Sequence, residues 1–136
     1  MIPAVVYDTG MLIGLANRDP LALQHHARIL RGVIPLVPGP VVAQVWRAGA
    51  AVQFGLNRHL QDCQVITEYS LLDYKRIGIM LGTVTLPPKK RPDVVDALVV
   101  LTAAGRGRAA IVTSDGNDIS AYAATLPKAV IDVIRV

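Results

Sequence analysis

Asp93 and Asp96 of "RPDVVDALVVLTAAG" stand three residues apart in a segment of helical periodicity, so both carboxylates occupy neighbouring positions on one helix face. Val94, Val95, Leu98, Val99 and Leu101 make the remainder apolar nearly all round, which marks a mostly buried helix with acids in its opening turns. Asp8 ends the apolar run "AVVYD", and Asp115 and Asp118 follow directly on another, in "IVTSDGNDIS". Two carboxylates ~4 Å apart repel by about 4 kcal/mol at an effective dielectric of ~20, so three or more together need a cation or raised pKa values at neutral pH. Oxygen-only ligands suit Mg²⁺ or Mn²⁺.

Positioning those acids is the task of the elements around them. Strand-like segments at 3–7, 35–37, 64–67, 110–113 and 129–134 alternate with helical patterns near 11–17, 20–31, 40–51, 55–62, 70–82, 92–105 and 117–124. That alternation predicts an α/β fold with a mostly parallel sheet. Ser70 with Asp73 reads as a capping box, Pro92 as a first-turn proline, and Gly105 and Gly107 as the end of the acidic helix. A helix leading into a parallel strand starts at the carboxyl edge of the sheet. Asp8, Asp93, Asp96, Asp115 and Asp118 therefore converge on one rim, joined by Gln44, early in the helix after the second strand. Capping explains some of these equally well: Asp93 suits the helix dipole in a first turn, and Asp115 or Asp118 suits a cap or turn. Asp96, a full turn into its helix, is beyond the reach of capping.

The 136 residues form one domain, 1–136, large enough to bury a core without staples. The start, "MIPAVVYD", has no basic leader and no apolar stretch is long enough to span a bilayer, so a cytoplasmic protein is expected. Cys63 is the single cysteine and reads as a buried small hydrophobe; no Cys/His group has zinc-like spacing. Fourteen Lys and Arg against ten Asp and Glu give a net charge of +4, which permits a polyanionic partner. A hydrophobic fraction of 52% is high for a small monomer and points to an oligomer or a tightly held protein partner.

With Asp8 after the first strand, "DVVDALVVLTAA" at 93–104 and "IVTSDGNDI" at 111–119, the chain resembles the PIN-domain ribonucleases, and among them the VapC-type toxins of toxin–antitoxin pairs. The resemblance covers essentially the full length. It implies a three-layer α/β/α fold with a parallel sheet of about five strands, Mg²⁺- or Mn²⁺-dependent cleavage of RNA, and inhibition by a cognate antitoxin protein; a homodimer is also expected. Asp8, Asp96 and Asp115 match the family's metal-binding acids, and Thr113, in the "T-x-D" arrangement, matches a supporting hydroxyl residue. Asp93 and Gln44 complete the catalytic set. The family commonly has Glu where Gln44 stands, and often Ser or Asn where Gly10 stands. An amide supplies no charge, so a catalytically silent PIN-fold domain acting as a binding or partner module is the alternative reading.

Lys89, Lys90 and Arg91 precede the acidic helix and are candidate RNA contacts, as is Arg47, three residues after Gln44. Arg106 and Arg108 fall at the opposite edge. Thr9 reads as a helix cap, His25, His26 and His59 as solvated surface, and Trp46 and Phe54 as core or interface packing. Asp8-Thr9-Gly10 also matches the aspartic-protease triplet, but those enzymes are all-β. A haloacid-dehalogenase-like phosphatase needs a second Asp where Gly10 stands.

Overall fold

The computed structural model describes residues 3–136. Its elements run β1 (Ala4–Tyr7), α1 (Thr9–Ala16), α2 (Pro20–Ile29), β2 (Leu36–Pro38), α3 (Gly39–Trp46), α4 (Ala50–Leu60), β3 (Gln64–Ile66), α5 (Leu71–Thr83), α6 (Val94–Ala104), β4 (Ala109–Thr113), α7 (Gly116–Ala123) and β5 (Ile131–Arg135). All strand pairs are parallel, in the order β3-β2-β1-β4-β5. The chain walks outward from β1 to β3 and then returns to the other side of β1. The order therefore reverses between β1 and β4, and the carboxyl ends of these two strands flank the crevice where open α/β sheets bind ligands.

Helices cover both faces. α2, α3 and α4 pack on α1, α5 and α7 pack on α6, and both α1 and α6 lie against β1 and β4, which makes three layers. Strands buried on two sides must be largely apolar, and β1 and β4 are, with Thr113 the polar exception at the end of β4: Val5, Val6 and Tyr7 face Ala110, Ile111 and Val112 in register, all buried. α6 buries Ala97, Leu98, Val99, Val100 and Ala103, as its all-round apolar sequence predicts. Among the described residues no helix is long and apolar enough to cross a membrane.

Several boundaries differ from the sequence reading, among them the start of α4, at Ala50 instead of the expected residue 55. The helix expected over 40–51 stops at Trp46, because Gly49 adopts φ +107, a conformation that breaks the helix and lets α4 begin at Ala50. Pro92 lies outside α6, since the extended Asp93 is its N-cap. The Ser70–Asp73 capping box forms as expected.

α1 and α4 cross closely at Gly55, where an added Cβ would meet the Ala16 carbonyl oxygen at 2.6 Å. Backbone cannot give way as a side chain can, so Gly55→Ala is expected to destabilise the fold by about 1–3 kcal/mol in urea denaturation. An unchanged midpoint would mean the two helices are free to separate.

Candidate active site

Asp8 is the N-cap of α1: its Oδ1 accepts the Met11 N–H at 3.0 Å and its Oδ2 accepts the Thr113 hydroxyl. Thr113, fully buried at the end of β4, also accepts the Asp115 N–H at 2.9 Å. One hydroxyl thus ties the end of β1 to the turn after β4. Asp115 in turn caps α7, accepting the Asp118 N–H at 3.3 Å. Asp93 caps α6, with Oδ1 accepting the N–H groups of Val95 at 2.7 Å and Asp96 at 3.1 Å. Capping and rim placement therefore coincide at Asp8, Asp93 and Asp115, where three helices begin beside one crevice.

Asp96 lies in the first turn of α6 and not a full turn in, because the helix starts only at Val94; burial and the like charges of Asp93, Asp8, Asp118 and Asp115 push its carboxyl up to about 7. Asp8 is raised as well, chiefly by burial, although hydrogen bonds from Thr113, Met11 and Gly10 oppose the rise. At Asp115 desolvation pushes upward, but the Asp118 N–H and the Lys90 ammonium outweigh it and hold the group low. A half-buried carboxyl ringed by four others is an electrostatic cost that a hard cation relieves, and the donor set is all oxygen; on that observation the residues fit Mg²⁺ or Mn²⁺. Among the described residues, however, no three carboxylates bring ligand atoms within 4.8 Å of one another, so the rim is not closed around an ion in this arrangement.

The neutral and basic residues take unexpected positions. Gln44 accepts the Thr9 hydroxyl at 2.7 Å, so Thr9 fixes the amide beside Asp8 instead of capping α1. Lys90 reaches back into the rim, its Nζ 2.7 Å from Asp118 and 3.2 Å from Asp115. Lys89 and Arg91 are exposed on the same loop. Arg47 is the C-cap of α3, at the end of that helix away from the crevice. Two residues escaped the sequence reading. Tyr122 accepts the Asp93 N–H at 2.7 Å and pins the start of α6 to α7. Arg135, paired across from Thr113, lies over Gly116 and donates to Asn117 at 3.4 Å. An arginine next to last in the sequence offers no signal of that placement.

Lys90 neutralises charge that a metal ion would otherwise meet. Lys90→Met is expected to raise Mn²⁺ affinity about three- to tenfold. Calorimetric titration checks this, and a weaker affinity would mean that Lys90 positions the acids instead.

Away from the rim, the reading of His26 needs correction. His26 is buried, with Nδ1 2.7 Å from the Tyr7 hydroxyl and Nε2 3.1 Å from Asp62, and its ring meets His59 edge-on. Solvated surface is thus wrong for His26, whose two nitrogens find polar partners inside the fold. Cys63 is half-buried and donates to the His59 carbonyl; burial and Asp62 push its thiol up to about 12, as suits an inert cysteine. Trp46 packs partly on the core, whereas Phe54 is 85% exposed and covers nothing in this chain. Comparison with protein-family models, curated proteins and solved structures finds no match for this chain.

Proposed function

We propose that the protein is a metal-dependent endoribonuclease of the PIN type, the toxin component of a toxin–antitoxin pair, working on RNA in the cytoplasm. The observation that carries this reading is the ring of carboxylates around Asp96 at the crevice between β1 and β4. Asp8, Asp96 and Asp115 would hold Mg²⁺ or Mn²⁺, which when bound acidifies a water and offsets charge on the scissile phosphate. The Thr113 hydroxyl donates to the Asp8 carboxylate and accepts the Asp115 backbone N–H, so it holds the first ligand and the backbone that carries the third. Asp96 must be ionised to serve as a ligand, which makes metal uptake by the metal-free rim pH-dependent near 7. Asp93 holds the first turn of α6 and thereby the position of Asp96. Lys89 and Arg91, with Arg135 at the far side of the rim, would carry RNA phosphates, and Lys90 would leave its carboxylates as the cation enters. Water attack in line with the leaving oxygen yields a 5′-phosphate and a 3′-hydroxyl.

Incubation of the protein with structured RNAs and Mn²⁺ tests this. The expected products carry 5′-phosphates and vanish with chelator; intact RNA with every substrate at saturating Mn²⁺ would contradict it. Gln44 and the ion pairs of Lys90 favour a second reading, a silenced PIN-type module that acts through its partners. Exposed Phe54, Leu71, Leu72 and Ile79 support a protein partner under either reading, whether the antitoxin or a second copy.

A further inference from the structure

His26, His59 and Asp62 each offer one ligand atom, and the three atoms lie within 4.8 Å of one another. They come from α2, from the last turn of α4 and from the turn before β3, so the group is separate in sequence and chemistry from the acidic rim. Two imidazoles and one carboxylate form a mixed nitrogen and oxygen set, which favours a borderline ion such as Zn²⁺ over Mg²⁺. We propose that these three side chains form a second metal site, specific for Zn²⁺-class ions, with a fourth position left to water.

The surroundings are those of a ligand set. The His26 side chain is only 6% exposed, whereas that of Asp62 is 44% exposed, so the group has a rigid inner member and an open outer one through which an ion can enter. Asp62 Oδ2 already stands 3.1 Å from His26 Nε2, close to the about 3.3 Å that separates two ligand atoms on a tetrahedral zinc. The His26 and His59 rings meet at 85° with centroids 5.5 Å apart. A contraction of at most about 1.5 Å, taken up by the partly exposed His59 and Asp62, brings the widest pair to zinc distance. Tyr7 supplies the supporting contact: its hydroxyl lies 2.7 Å from Nδ1, so with Nε2 on the metal the remaining ring proton sits on Nδ1 and is donated to the Tyr7 oxygen. Tyr7 is the last residue of β1 and precedes Asp8, which places the site behind the strand that carries the first rim acid.

Calorimetry with Zn²⁺ alone as the probe, in excess Mg²⁺ to cover the rim, tests the site on the full chain. The expected result is one Zn²⁺ per chain, with affinity lowered about 100-fold by His59→Gln and by Asp62→Asn and about tenfold by Tyr7→Phe. Asp96→Asn should leave Zn²⁺ affinity at the wild-type value. Both ligand variants alter residues at the surface or near it, so folding is checked by circular dichroism, and long-range ¹H–¹⁵N spectra of wild type should show metal-shifted nitrogens on His26 and His59. Absence of one-to-one binding would reduce the cluster to a buried hydrogen-bond network and overturn the proposal. Binding that survives both ligand variants, or is lost with Asp96→Asn, would equally overturn it. Failure of RNA cleavage leaves these outcomes unaffected, because none of the three ligands belongs to the rim.

Discussion

Replacing Asp96 with Asn is expected to abolish metal-dependent RNA cleavage, by at least about 100-fold, while making the metal-free protein more stable at alkaline pH. The two effects have one cause. In the folded protein burial and then four neighbouring carboxylates push Asp96 up to about 7 from its ordinary 3.8, so between these values the folded chain holds a proton that the unfolded chain has released. Stability from this group is full below about pH 4 and is lost as pH rises through 7. The unscreened shift corresponds to about 4 kcal/mol, and solvent around a partly exposed group lowers this to roughly 2 kcal/mol. Asparagine removes the titration, so the variant should match wild type near pH 4 and exceed it by about 2 kcal/mol at pH 8 in urea denaturation. Mn²⁺ should restore wild-type stability at pH 8 and do little for the variant. A variant less stable than wild type at pH 8 would mean that the Asp96 carboxylate contributes to the fold.

The second large effect is expected from Gln44→Glu. The new carboxylate can still accept the Thr9 hydroxyl, now at 2.7 Å from the amide oxygen, so the local geometry is retained and only charge is added. A unit charge about 5 Å from a divalent ion contributes roughly 1.5 kcal/mol even at the dielectric of water, so Mn²⁺ affinity should rise at least about tenfold. Cleavage at limiting Mn²⁺ should rise by a similar factor, and metal-free stability at pH 8 should fall as a further like charge joins the rim. Cleavage by the Glu variant alone would assign the natural protein to the silent class. Equal metal affinity in both proteins would place residue 44 outside the ion's reach.

The backbone was largely legible because its signals are periodic. Apolar runs located all five strands to within about two residues, and the all-round apolar character of 94–104 identified α6. Parallel α/β geometry then sufficed to bring Asp8, Asp96 and Asp115 to one rim. What escaped lies in pairings of side chains far apart in the chain: Lys90 with Asp115 and Asp118, Thr9 with Gln44, and His26 with Tyr7 and Asp62. No periodicity encodes such pairs. His26 illustrates the limit, since beside His25 on a helix it has the composition of a polar surface, and only the packing of α2 on the rest of the fold turns it inward. The break at Gly49 was similarly hidden, because glycine marks a turn only when the chain around it takes φ > 0.

The most direct test of the acidic rim is Mn²⁺ calorimetry at pH 8 on wild type and Asp8→Asn, with RNA cleavage followed in the same samples. Wild type should bind Mn²⁺ and cleave RNA, and Asp8→Asn should lose both while remaining folded. Equal Mn²⁺ binding by the two proteins, or cleavage that persists in Asp8→Asn, would contradict a metal-dependent nuclease built on this rim.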